Sequence, residues 1–143
     1  MKTGIFALLF LMVNVAGAQS HDHHRSHHAK SNKPSGEKKQ FVPTKDLKIR
    51  MEKVLALVKE LNLKKNDLKI VKEYGVKLTD TVGDIFKTCK LEPDADAAIH
   101  PSLGLILDGA KDFKRGEYES GHEKIHKALL AYEELFKHDG WSH

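Results

Sequence analysis

Ten of the 143 residues are histidine. Five of them, His21, His23, His24, His27 and His28, fall within eight positions. Imidazole is a borderline ligand that suits zinc, copper and nickel. In so polar a stretch, several rings can converge on one ion without a preformed cage. Cleavage after Ala18 opens a second mode, because His21 then becomes the third residue of the chain. A free amino terminus, two deprotonated amides and a third-position imidazole wrap Cu(II) or Ni(II) in a square-planar nitrogen site. Cyclisation of Gln19 to pyroglutamate removes that mode. Histidine ligates as the neutral ring, so capture is expected to weaken below about pH 6.5.

Two further sets carry ligand chemistry. Met51, Cys89, His100 and His138 sit near helix ends that an antiparallel helical layout brings together. A thioether, a thiol and an imidazole form a soft set, suited to Cu(I) or haem iron. Asp96 and His100 are spaced i, i+4 and share a helix face, so both can reach one ion. Cys89 and Met51 also have a plainer reading as a small buried hydrophobe and a core filler. His122 and His126 have the same i, i+4 spacing, which chelates zinc when a third ligand arrives from elsewhere. Glu119 and Glu123 are further donors nearby. The plainer reading of His122 is a boundary residue packed under Tyr118 and Phe113.

Catalytic patterns are missing. The sequence has no Gly-rich phosphate loop, no nucleophile elbow and no His-Glu-x-x-His pair. Glu-x-x-His occurs as Glu119–His122 and Glu123–His126, in overlapping turns of one helix. A di-iron site needs the motif on two helices, with glutamates from the others. The chain reads as a non-enzyme.

The segments around these residues differ sharply. Lys2, the apolar run Ile5–Val13 and the small-residue site Ala16-Gly17-Ala18 read as an export signal over 1–18. That apolar run is nine residues long, too short to span a bilayer. Residues 19–43 are rich in Ser, Lys, His, Gly and Pro, with little to bury before Phe41, and read as a disordered His-rich arm. Removing Lys2 with the leader takes the formal charge from +4 to +3, too weak to argue for nucleic acid. Composition excludes other classes. The mean hydropathy of -0.48 is that of a soluble chain. A single Cys excludes an internal disulfide, a Cys-rich zinc module and an iron–sulfur cluster.

From Thr44 the apolar residues take up a spacing of three and four. Leu47, Met51, Val54, Val58 and Leu61 begin it. Leu68 to Cys89, Ala95 to Phe113 and Tyr118 to Phe136 repeat it. Pro43-Thr44, Asn66 or Asp67, Pro93 and Gly116 supply caps and stops. The pattern predicts helices over 44–61, 65–90, 94–114 and 117–138, with a kink after His100 at Pro101. Short connections make neighbours antiparallel. The expected fold is all-α: an up-down-up-down four-helix bundle over 44–138, with a short tail over 139–143.

Two resemblances bear on function. The segment Asp46-Leu47-Lys48-Ile49-Arg50-Met51-Glu52 resembles the start of the first helix of the cytochrome b562 type of exported bundle. Asp112-Phe113 through Gly116 to Ala131-Tyr132 is similar in turn placement. That resemblance implies haem b, with Met51 as one axial ligand. The family's second ligand is a His just after the Ala-Tyr pair, where this chain has Glu133. His138 is the substitute the sequence offers. Cys89-Lys90-Leu91 followed by Asp96 and Ile99-His100 is similar to a group of small periplasmic bundles. These carry Cys at the end of helix two and paired ligands at the start of helix three. That resemblance implies a fold and a location.

The sequence thus supports a periplasmic or secreted protein that binds and buffers a transition metal, copper or nickel first and zinc next. A haem-binding electron carrier is the alternative, and a non-catalytic stress or interaction protein the third reading. Metal ions are the expected partners, with no stable membrane association after signal cleavage. The unpaired Cys89 leaves room for a thiol-linked homodimer.

Overall fold

The computed structural model of the chain describes residues 40–142. The proposed leader and most of the proposed arm, including His21, His23, His24, His27 and His28, lie outside the described residues. Those described form four helices and no strand: α1 Lys45–Leu63, α2 Leu68–Thr88, α3 Pro93–Arg115 and α4 Tyr118–Leu135. None of these helices is long and apolar enough to cross a membrane.

Local chemistry sets the helix ends. The Thr44 side chain accepts from Leu47 N at 3.3 Å and starts α1. Asp67, rather than Asn66, is the cap: it accepts from Lys69 N at 2.9 Å and Ile70 N at 3.2 Å, so α2 starts at Leu68, the first residue of its apolar spacing, instead of at 65. Pro93 opens α3 without a side-chain cap, as its fixed φ allows. Pro101 lies inside α3, which continues past it to Arg115. At Gly116 the backbone reaches φ 86, a left-handed turn that favours glycine. A Cβ there would also fall 2.3 Å from Leu68 Cδ1.

The end of α4 departs from expectation for a tertiary reason. At Phe136 the backbone turns extended and pairs with the N-terminal segment. Phe41 N donates to Leu135 O at 2.8 Å, and Lys137 N donates to Phe41 O at 2.9 Å. Gln40 Nε2 adds a bond to Glu133 O at 3.1 Å. The folded unit therefore begins ahead of Thr44, and His138 sits beyond α4 rather than on it.

The apolar seams form one core. Leu47, Met51, Leu61, Leu78, Val82, Ile106, Phe113, Ile125 and Tyr132 are each fully buried. Complete burial of such a side chain contributes about 1.5–3 kcal/mol. Side-chain contacts tie the ends of α1 to α2 and to α4. Arg50, early in α1, bonds Asp84, late in α2, at 3.3 Å. Tyr118, at the start of α4, donates to Asn62, near the end of α1, at 3.0 Å.

Helix spacing is uneven. Gly109 on α3 and Gly121 on α4 face each other so closely that a Cβ on Gly109 would fall 2.6 Å from Gly121 O. On α2, a Cβ on Gly75 would fall 2.6 Å from Ala110 O on α3. Small residues thus draw α2, α3 and α4 together. α1 leans on α2, and its backbone approaches that of α4 at few points. A groove is left between α1 and α4.

Candidate metal centre

The groove has a volume of about 260 Å³ and is lined by Leu55, Val58, Lys59 and Asn62 from α1 and by His122, His126 and Leu129 from α4. One helical turn separates the two histidines. Their rings lie 6.3 Å apart between centroids and within 5° of parallel. His122 stacks on Tyr118 at 5.4 Å, and Tyr118 stacks on Phe113 at 5.7 Å. This run anchors the pair to the core and matches the boundary packing expected of His122. The Tyr118 hydroxyl is fixed by Asn62, and burial pushes its pKa upward. Lys59 donates to Ser142 O at 2.9 Å, which fastens the C-terminal end of the described chain at the groove wall. Glu123 pairs with Lys127 at 2.6 Å.

Cys89, Asp96 and His100 share a second, smaller pocket of about 150 Å³ with Ile85, Phe86, Leu91, Ile99 and Leu103. Cys89 caps the end of α2, its N–H donating to Ile85 O, and is only partly buried. Burial raises its thiol pKa, opposed by contacts with Thr88 and Arg50. That keeps the thiol protonated, so an ion binding there must first displace the proton. His100 is exposed and stacks on Phe86 at 5.5 Å. Its Nε2 lies 3.9 Å from Asp96 Oδ2, an ion-pair distance rather than a hydrogen bond. Met51 is fully buried in the core and does not line this pocket.

His138 is engaged elsewhere. Its side chain is 2% exposed. The Tyr132 hydroxyl meets Nδ1 at 2.9 Å, and Nε2 meets Glu52 Oε1 at 3.1 Å. A neutral ring satisfies both: the hydroxyl donates to Nδ1, and Nε2–H donates to the carboxylate. Trp141 covers the group, 4.8 Å from the Tyr132 ring and 5.1 Å from the His138 ring. Burial holds the Tyr132 hydroxyl well above the usual tyrosine range. For His138 to act as an axial haem ligand, one of these two ring nitrogens would have to give up its bond.

Among the described residues, no group of three or more His, Cys, Asp or Glu side chains is placed to hold a metal ion. The structure instead offers two-donor pairs, His122–His126 beside the groove and Asp96–His100 beside the Cys89 pocket. No family model, curated protein or solved structure matches the chain.

Sequence reasoning missed two polar clusters. One is the Glu52–His138–Tyr132 chain, whose members lie on separate segments. The other centres on Asp112, whose side chain is 2% exposed. It accepts from Arg115, from Ser120 Oγ at 2.7 Å and from Lys124 Nζ at 2.6 Å. The bond to Lys124, then that to Ser120, lowers its pKa. Arg115 at i+3 was a readable local signal. Ser120 and Lys124 come from the next helix, and periodicity does not foretell them.

Proposed function

We propose that the protein binds and buffers a transition metal ion, copper or nickel first and zinc next, in the periplasm or outside the cell. The observation carrying this reading is the His122–His126 pair, two near-parallel imidazoles one turn apart at the edge of a groove. Imidazole pairs at this spacing suit borderline cations. The five histidines at 21–28 extend the same donor chemistry in an arm over 19–43, downstream of an export signal over 1–18. In this reading the arm captures ions loosely and the pair holds one against the fold. The fold is read as an up-down-up-down bundle, supported by the Arg50–Asp84 and Tyr118–Asn62 contacts between opposite helix ends.

The test is calorimetric titration of the full, untagged chain with Cu(II), Ni(II) and Zn(II). Three variants are compared with the parent: all five arm histidines changed to Ala, His122→Ala with His126→Ala, and both sets together. One site is expected to survive loss of the arm histidines and to vanish when His122 and His126 are also removed. Identical stoichiometry in the arm variant and the combined variant would refute the pair as a binding site.

A further inference from the structure

The groove beside His122 and His126 is larger than an ion requires. A cavity needs only about 10–15 Å³ of water-accessible volume to hold one water, so a volume of about 260 Å³ exceeds a bare ion and its few coordinated waters. Leu55, Val58 and Leu129 give it an aliphatic floor. Besides the two imidazoles, its polar lining is Lys59 and Asn62. Copper, nickel and zinc take four or more ligands, and the pair supplies two. Among the described residues no further acid, thiol or imidazole completes the set. An ion held by the pair therefore keeps open positions beside an aliphatic surface that water covers poorly. Lys59 uses one donor on Ser142 O, and a lysine ammonium has three.

We infer that the groove takes the ion already chelated, as a one-to-one complex with a small carboxylate ligand that carries an apolar side chain, of the aliphatic α-amino acid type. The amine and one carboxylate oxygen of the chelator fill the positions the protein leaves open. The second carboxylate oxygen faces Lys59 and Asn62. The apolar side chain covers Leu55, Val58 and Leu129. This inference rests on the metal reading of the His122–His126 pair and names the form in which that pair receives its ion.

The experiment uses the full chain with His21, His23, His24, His27 and His28 changed to Ala, so that the arm does not strip the ion. The probes are Cu(II) alone, Cu(II) with one equivalent of glycine, and Cu(II) with one equivalent of leucine. Glycine and leucine chelate through the same atoms and differ only in the isobutyl group. Calorimetry is paired with equilibrium dialysis of radiolabelled amino acid. The leucine complex is expected to bind about tenfold more tightly than the glycine complex, with one leucine retained per ion. Leu55→Gln, at a half-buried wall position, should erase that preference, so that the leucine and glycine complexes bind alike. Equal binding of the two complexes, or release of leucine on binding, would overturn the chelate and leave the metal site standing. Failure of all three probes to bind would remove the metal site, and the chelate with it.

Discussion

Lys124 Nζ lies 2.6 Å from Asp112 Oδ2, and that bond fixes the register in which α4 presents its histidines. Asp112 lies near the end of the buried face of α3, just before Phe113, while Lys124 stands between His122 and His126 in the sequence of α4. With Ser120 on the same carboxylate, the first two turns of α4 are tied to α3 from within. The carboxylate is almost wholly buried and its cationic partners are partly exposed. Removing the acid therefore costs more than a surface pair would.

Asp112→Asn is expected to lower stability by about 1.5–3 kcal/mol, the range for hydrogen bonds to charged groups. The native carboxyl pKa is lowered, so its contribution is fully present above about pH 4 and is lost as pH falls through the native value. Urea melts at pH 7 and pH 3 should show a large gap between parent and variant at the higher pH and a reduced gap at the lower. A constant gap would show that the Asp112 charge is not the source.

The glycine crossing supports a second expectation. A Cβ on Gly121 would fall 2.5 Å from Phe113 Cδ1 and 2.7 Å from Gly109 O. Gly121→Ala must push α3 from α4 or turn Phe113, at about 1–3 kcal/mol for overpacking. Gly83→Ala is the control, because a Cβ there meets nothing within 4 Å. That change should be neutral or slightly stabilising, since alanine favours helix. Equal melting temperatures for the two variants would contradict the crossing.

Much of the helical architecture is written in the seams, because a three-four apolar spacing has few physical solutions. Leu47, Met51, Val54, Val58 and Leu61 recur in the sequence at that interval and are the buried face of α1. Thr44, Asp67, Pro93 and Gly116 mark the ends through local chemistry that each residue carries alone. The end of α4 is different. Phe136 leaves the helix because Phe41, distant in sequence, pairs with its backbone. The candidate site divides in the same way. The i, i+4 spacing places His122 beside His126, whereas the groove beneath them depends on how closely Gly75, Gly109 and Gly121 let three helices approach. No periodicity in α1 announces that it stands away from α4.

The Glu52–His138–Tyr132 chain supports a third expectation. His138→Ala leaves the Tyr132 hydroxyl buried without its acceptor and uncovers Trp141, the single tryptophan. A cost of about 1–3 kcal/mol is expected, with a red shift of tryptophan emission. In a Tyr132→Phe background the same change should cost about 1 kcal/mol less, because the two residues share one bond. The tyrosine pKa is raised, so its contribution is fully present below about pH 10 and is lost as pH rises toward the native value. Strict additivity of the two substitutions would separate them energetically.

The central claim is that His122 and His126 hold one metal ion together. Nitrogen-detected NMR of the imidazole rings during Zn(II) addition reads that claim residue by residue. The ring signals of His122 and His126 are expected to move in concert and saturate at one ion per chain, and to return as pH falls and protons compete for the same lone pairs. Movement of the arm histidines alone, with His122 and His126 unchanged through saturation, would contradict it.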